Sequence, residues 1–278
     1  MSTVGLQGRA IGAGTLLAQH INSGKFAQYS YNTFKSGGMY TAVIGYGPPT
    51  APTAAAINLG YAPNDVGGDL PFIWHNIGAQ TILAPAFTTT GLTISGDLTD
   101  TAGISYAFGT AQDNVAYGKH VYTVGSNQGS ANVAFCRATL TAADVSGITT
   151  LVFGLRKVQA LQAALTGYTD VACAGLVATD GAIVTRTRDD NGTATVTDTG
   201  LTWGDTESKT IEVDLYPDRT LRIVVGSTIV LQNTFSFDAS DSVLPFIHLV
   251  HATTSPGVIT LGMFESGWKT NKGVDAPF

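Results

Sequence analysis

The sequence predicts an all-β protein, an antiparallel β-sandwich of the jelly-roll type, and three observations support this. Threonine, which favours strands, occurs 38 times, while 33 glycines and 17 aspartates supply typical turn residues. Charged residues make up only 12% of the 278 residues, and the one segment with helical character is Lys157–Leu165, ended by Gly167. From Thr81 onward, short hydrophobic runs alternate with turn signals every ~8–12 residues, which is typical of a sandwich.

The strand-like runs can be assigned in chain order. They are Ile82–Phe87, Leu92–Ser95, Ser105–Phe108, His120–Val124, Asn132–Leu140, Thr150–Val158, Val171–Ala178, Ala182–Arg188, Thr193–Thr199, Ile211–Tyr216, Leu221–Val225, Ile229–Leu231, Phe235–Phe237, Leu244–Ala252 and Gly257–Glu265. Between two of these runs, Asp189-Asp190-Asn191-Gly192 predicts a hairpin in which Asn-Gly supplies the positive φ values of a type I′ turn.

Residues 1–80 differ from residues 81–278, which form the predicted sandwich domain. The first 80 residues contain five charged side chains, and the stretch from Tyr46 to Pro63 is too rich in proline for a regular strand or a long helix. Its apolar and aromatic side chains nevertheless need a surface to pack against. We therefore expect an extended N-terminal arm that lies on the same chain, a neighbouring subunit or a capsid.

Composition excludes several classes of partner. An acidic chain with a net charge of −6 and 14 Lys and Arg residues lacks the electrostatic footprint of a nucleic-acid-binding protein. No apolar run approaches the ~18–20 residues of a membrane-spanning helix, and the first 20 residues make a poor secretory signal. Cys136 and Cys173 are expected to be reduced, buried thiols, although a disulfide between them stays open.

No motif in the sequence predicts catalysis, a metal or a cofactor. Glu212 and Asp214 share a strand face, as in the E-x-D strands of glucanases, but the third carboxylate is missing, so a solvent-facing pair is expected. Lectin-type calcium and manganese ligands are also missing downstream, and a hairpin explains Asp189-Asp190-Asn191 without calcium. His248 and His251 are three residues apart and should face opposite sides of a strand.

Trp203 is the strongest sequence candidate for contact with a glycan. It lies in Thr202-Trp203-Gly204-Asp205, which is expected to be an exposed loop, and an indole ring can stack on a sugar. The alternative is that the ring packs at the base of a loop or in an interface.

Several segments resemble tailed-phage virion proteins, mostly of marine phages. The matching segments are Ala142–Thr149, Phe153–Lys157, Thr197–Thr199, Lys209–Val213 and Val243–Ile247, within roughly residues 105–265. In that group an "ADVSGTD" turn precedes a "GFRK" strand, and this chain departs from the pattern at Ile148 and Leu155. The resemblance implies a concanavalin-type jelly roll that serves as a structural part of the particle, with no catalytic residues.

The functional expectation is therefore a capsid decoration or cement protein, without enzymatic activity, on the surface of a virion made in the host cytoplasm. Its expected partners are the major capsid protein and itself, as a homotrimer. The possible assembly contacts all lie in the arm: Leu16, Leu17, Phe26, Tyr29, Tyr31, Phe34 and Tyr40. The alternative is a glycan-binding head-fibre or tail-associated adhesin, and a glucanase is disfavoured.

Overall fold

The computed structural model describes residues 26–32, 58–61, 71–77, 86–87, 91–94, 102–108, 121–125, 132–252 and 258–270. Within these ranges the chain forms 17 β-strands and one 3₁₀ turn at Leu165–Gly167. The strands are β1 (Phe26–Asn32), β2 (Asn58–Tyr61), β3 (Pro71–Ile77), β4 (Ala86–Phe87), β5 (Leu92–Ile94), β6 (Gly103–Phe108), β7 (Tyr122–Thr123), β8 (Asn132–Ala142), β9 (Ile148–Lys157), β10 (Val171–Leu176), β11 (Ala182–Arg188), β12 (Thr195–Thr202), β13 (Ser208–Leu215), β14 (Thr220–Val225), β15 (Thr228–Ser236), β16 (Ser242–His251) and β17 (Ile259–Thr270).

The described strands form two antiparallel sheets. One sheet has the order β15-β14-β13-β8-β17-β5-β4, and β1 also pairs with β17. The other has the order β12-β11-β10-β9-β16-β6-β3-β2, and β7 also pairs with β16. The two sheets enclose one core, so the predicted jelly-roll sandwich is confirmed.

The alternation of side chains along each strand separates two hydrophobic clusters. Phe153 and Ile247 point into the main core between the sheets. Val152 and Phe246 point to the outer face of the second sheet, where they form a smaller cluster with Tyr168. The segment that connects β9 to β10 covers this outer face, because Leu165 and Tyr168 are buried in that cluster.

The predicted helix at Lys157–Leu165 is wrong. Strand β9 continues to Lys157, and only a single 3₁₀ turn follows, at Leu165–Gly167. The carbonyl groups of Lys157 and Gln159, which would accept helical N–H groups, instead accept hydrogen bonds from Nη1 of Arg156, both at 3.1 Å. Burial of Arg156 and Tyr168 on the sheet therefore overrides the local helical preference.

Three strands come from the region that the sequence assigns to an arm. Strand β1 pairs with β17, β3 pairs with β6, and β2 pairs with β3, all antiparallel. These segments therefore extend the sheets of their own chain. The rest of residues 1–80 lies outside the described residues, and a separate arm stays a prediction.

The segment that resembles phage proteins forms the turn between β8 and β9. Asp144 Oδ1 accepts hydrogen bonds from the backbone N–H of Ser146 (2.9 Å) and from its hydroxyl (2.7 Å), and Ser146 lowers the pKa of Asp144. Asp205 Oδ1 accepts the Val145 N–H at 2.9 Å. The polar residues of this segment therefore stabilise the turn between β8 and β9.

His248 predicts acid sensitivity. Burial and, to a smaller extent, the charge of Arg156 together lower the pKa of this imidazole to about 4. In the unfolded chain the pKa is about 6.5, so the unfolded state takes up the proton first. Stability that is complete above about pH 6.5 is lost as the pH falls towards 4, by on the order of 3 kcal/mol.

The measurement is the urea unfolding free energy between pH 7.5 and 4.5 for the wild type and for His248→Gln. We expect a steeper loss in the wild type than in the variant. Identical pH profiles would show that His248 carries none of this effect.

Candidate functional site

Trp203 is not available to a ligand, so the expectation of an exposed glycan contact is wrong. Its side chain is only 1% exposed and belongs to the main core. The indole N–H donates a 2.9 Å hydrogen bond to the carbonyl of Glu207, and the chain folds back through a turn from Gly204 to Glu207. The flanking residues are exposed while the ring is buried. A large aromatic ring whose N–H has a hydrogen-bond partner stabilises the protein more in the core than at the surface.

We expect Trp203→Phe to destabilise the protein by about 1–2 kcal/mol through loss of the indole hydrogen bond and of some packing. Glycan binding should be unchanged in the folded variant. Urea unfolding and a binding titration of the same sample make this check. A loss of glycan binding with unaltered stability would show that Trp203 contacts the glycan after all.

The Glu212 and Asp214 carboxylates are held in ion pairs. Asp214 is fully buried, and its Oδ2 accepts two hydrogen bonds from Arg222, at 2.9 Å from Nε and 2.6 Å from Nη2. Glu212 lies 3.5 Å from Arg137, which also donates to Glu265. The prediction that Ile211, Val213 and Leu215 face the core is confirmed. The expectation of a solvent-facing Asp214 is wrong, because its carboxylate is buried in an ion pair with Arg222 on the adjacent strand.

Two histidines in the described ranges, His248 and His251, and both cysteines are buried. The rings of His248 and Tyr168 pack in a T-shaped arrangement, with their centroids 6.3 Å apart. Cys136 lies in the main core and Cys173 in the outer cluster, and both are free thiols, as expected. Burial raises the pKa of Cys173 to about 12, which keeps this thiol protonated and unreactive.

An open groove lies where the β9–β10 connection meets the β11–β12 turn. It has a volume of about 430 Å³ and is lined by Lys157, Val158, Gln159, Thr169, Asp170, Asp190 and Asn191. We call it the 157–191 groove. From the sequence, Asp190 and Asn191 are recognisable only as turn residues, and no motif indicates the other lining residues.

The turn that forms one wall is a type I′ turn, one residue earlier than expected. Asp190 (φ 47°) and Asn191 (φ 59°) occupy the central positions, and the Gly192 N–H donates to the Asp189 carbonyl at 2.7 Å. The predicted Asn-Gly pair is therefore not the central pair. Asp and Asn tolerate this left-handed backbone, and Asp170 fixes the shift because its Oδ1 accepts the Asp190 N–H at 2.8 Å.

Arg188 joins the two walls of the groove. Its Nε donates to Gly192 O at 2.8 Å, and its Nη2 donates to the backbone and side-chain oxygens of Asn191 at 3.0 and 2.7 Å. Its Nη1 donates to the carbonyls of Thr166 and Tyr168. All five guanidinium N–H groups are thus used to hold two loops together.

Asp170 organises the floor of the groove. Burial alone would raise the pKa of its carboxyl, but hydrogen bonds from Thr169 and Asp190 and the charge of Lys157 lower it overall. Lys157 Nζ lies 3.5 Å from Asp170 and 2.8 Å from Asp241. The floor is therefore an internally paired charge network.

Asp170, Asp189 and Asp190 bring carboxylate oxygens within 4.8 Å of one another. Such an arrangement is compatible with a hard cation that prefers oxygen ligands. However, Lys157, Thr169 and the Asp190 N–H already engage the Asp170 carboxylate. These groups account for the Asp170 carboxylate, and the exposed Asp189 and Asp190 carboxylates belong to the turn beside it.

Three of the seven sequence-predicted assembly contacts lie in a described strand. Phe26, Tyr29 and Tyr31 lie in β1, whose backbone pairs with β17. The other four lie outside the described residues: Leu16, Leu17, Phe34 and Tyr40. Within the part of the chain that is described, no helix is long and apolar enough to cross a membrane.

Comparisons with known proteins find similarity in structure only. No protein-family model matches the chain, and no curated protein matches its sequence. A protein of unknown function, SO2946 from Shewanella oneidensis MR-1, is 11% identical with a TM-score of 0.46, and the match covers 97% of this chain and 98% of that one. The carbohydrate recognition domain of Emp47p is also 11% identical with a TM-score of 0.46, covering 71% and 88%. The carbohydrate-binding module CBM66 from Bacillus subtilis is 10% identical with a TM-score of 0.37, covering 71% and 95%. With TM-scores below 0.5, these likenesses carry no inference about function.

Proposed function

We propose that this chain is a non-catalytic carbohydrate-binding module whose ligand lies in the 157–191 groove. The observation that supports this is an exposed acceptor and donor side by side on the rim. Within the described residues, no hydrogen bond engages the Asp190 carboxylate, and Asn191 uses its Oδ1 but not its Nδ2 amide group. A sugar hydroxyl both donates and accepts, so it can bind a carboxylate and an amide N–H at the same time.

The groove is rigid where the ligand would bind. Asp190 and Asn191 lie on a turn whose backbone is fixed by Asp170 and Arg188. Fixing the polar groups before binding lowers the entropic cost of association. Val158 adds an apolar surface for the C–H groups of a sugar ring.

A non-catalytic role fits the state of the carboxylates. Glycoside hydrolysis requires one protonatable carboxylic acid and one free carboxylate on opposite sides of the bond. Asp214 is paired with Arg222, and Asp170 is paired with Lys157, with its pKa lowered. Neither of these two carboxyls is poised to donate a proton near neutral pH, and Asp189 and Asp190, adjacent on one turn with oxygens within 4.8 Å of each other, are not placed on opposite sides of a glycosidic bond.

The proposal is tested on an oligosaccharide panel followed by calorimetric titration. Asn191→Gly removes the amide while glycine accepts the positive φ, and Asn233→Gly is the matched control, since Asn233 is also exposed with φ 56°. We expect Asn191→Gly to weaken binding at least about tenfold, or about 1.4 kcal/mol, and Asn233→Gly to leave it unchanged. Equal affinity for all three proteins would contradict the proposal.

A second candidate is a capsid decoration protein on a phage particle, which is supported by the resemblance in residues 105–265 and by the charge-poor residues 1–80. A glycan-binding adhesin of the virion would combine both candidates. Light-scattering mass of the full chain and of a variant lacking residues 1–80 tests the decoration proposal. A trimer that becomes a folded monomer on truncation supports it, whereas monomers in both cases count against it.

A further inference from the structure

We infer that the 157–191 groove takes an uncharged glycan and rejects uronate, sialylated and sulfated chains. This inference rests on the proposed function and names the ligand class of the same site. Three features support it: the cations at the groove are already used, the remaining charge is negative, and the free groups suit hydroxyls.

Both cations at the groove are committed to the protein itself. Lys157 Nζ lies between Asp241 and Asp170, at 2.8 and 3.5 Å. Arg188 uses all five of its N–H groups on oxygens of residues 166, 168, 191 and 192. Recognition of a carboxylate or sulfate typically depends on an available Arg or Lys. Arg188 has no N–H group left to donate, and the charge of Lys157 is already balanced by two carboxylates.

The groove is negatively charged. Asp189 and Asp190 are exposed, and each has a carboxylate oxygen within 4.8 Å of one on Asp170. Partial burial raises the pKa of Asp189, and the charges of Asp190, Asp238 and Asp170 raise it further, which indicates repulsion among these carboxylates. An anionic glycan would add a further like charge at short range.

The free groups match an uncharged sugar. The Asp190 carboxylate can accept a hydroxyl proton, and the Asn191 amide can donate to the oxygen of a hydroxyl. Replacing the sugar's C6 hydroxymethyl group with a carboxylate removes one neutral hydroxyl donor and adds a negative charge to a ligand that faces the Asp190 carboxylate. The site should therefore distinguish a neutral hexose chain from its uronate counterpart.

The experiment compares matched pairs of hexasaccharides that differ only at C6: glucose and glucuronate, mannose and mannuronate, galactose and galacturonate. Binding to the intact chain is measured at 20 and 300 mM NaCl. We expect the best neutral member to bind at least tenfold more tightly than its uronate partner at low salt, and the gap to narrow at high salt. A uronate that binds as well as or better than its neutral partner would overturn the inference while leaving glycan binding in place.

Charge variants separate this electrostatic effect from direct contact. Asp189→Asn removes a charge beside the groove without altering a lining residue, and Asp180→Asn removes an exposed charge at the opposite end of β11. Asp189→Asn should improve uronate binding several-fold with neutral binding unchanged, and Asp180→Asn should change neither. An equal effect of both variants would refute the local charge argument, and absence of binding by every hexasaccharide would refute the proposed function itself.

Discussion

Replacement of Gly175 with alanine is expected to destabilise the protein by about 4 kcal/mol or more, the largest effect anticipated here. Gly175 lies in β10 with φ 144°, a region that other residues rarely adopt, and its Cβ would lie 2.1 Å from the carbonyl oxygen of Leu151 in β9. Both the backbone and the neighbouring strand would have to shift, because Leu151 O is itself part of the sheet. Circular dichroism and urea unfolding measure the result.

Gly200→Ala is the matched control for this prediction. Gly200 also has a positive φ, 71°, but nothing lies within 4 Å of the position that its Cβ would take. Its replacement should cost only about 1 kcal/mol. If the two variants were equally stable, the close approach of β9 and β10 at Gly175 would not constrain the fold.

Arg222→Ala is expected to destabilise the protein by about 3–5 kcal/mol. The guanidinium donates two hydrogen bonds to the fully buried Asp214 carboxylate, and its removal leaves that negative charge in the sheet without this partner. Asp214 also holds the pKa of Arg222 above its ordinary value, despite the opposing effect of burial. Urea unfolding at pH 7 measures the loss.

The double variant Asp214→Leu/Arg222→Met separates charge from packing. Because it removes both ionic groups and keeps apolar volume, it should recover most of the stability lost in Arg222→Ala. A double variant less stable than Arg222→Ala would mean that the ion pair itself, rather than the isolated carboxylate, dominates.

The sandwich could be predicted from the sequence because period-two alternation is a local signal. Ile211, Val213 and Leu215 face the core as this pattern indicates. The polar face of the same strand could not be assigned, since burial of Asp214 depends on Arg222 in the next strand. The burial of Trp203 could not be predicted for a different reason: its loop is polar, but the ring turns into the core and donates to a carbonyl four residues later.

The groove could not be predicted because it is assembled from distant segments. A turn is predicted by Asp189-Asp190-Asn191-Gly192. The residues that position this turn, Asp170 and Lys157, come from other parts of the chain. The one-residue shift of the type I′ turn follows from the Asp170–Asp190 hydrogen bond, which no local pattern reveals. The packing of Leu165 and Tyr168 on the second sheet could not be predicted either, because the sequence of Lys157–Leu165 indicates a helix.

The most direct test of the glycan-binding account is a calorimetric titration of the best neutral hexasaccharide into the wild type, Asn191→Gly and Asn233→Gly. The account predicts saturable binding to the wild type, at least about tenfold weaker binding to Asn191→Gly, and wild-type affinity for Asn233→Gly. Binding that is indifferent to Asn191, or no binding by any of the three folded proteins, would contradict it.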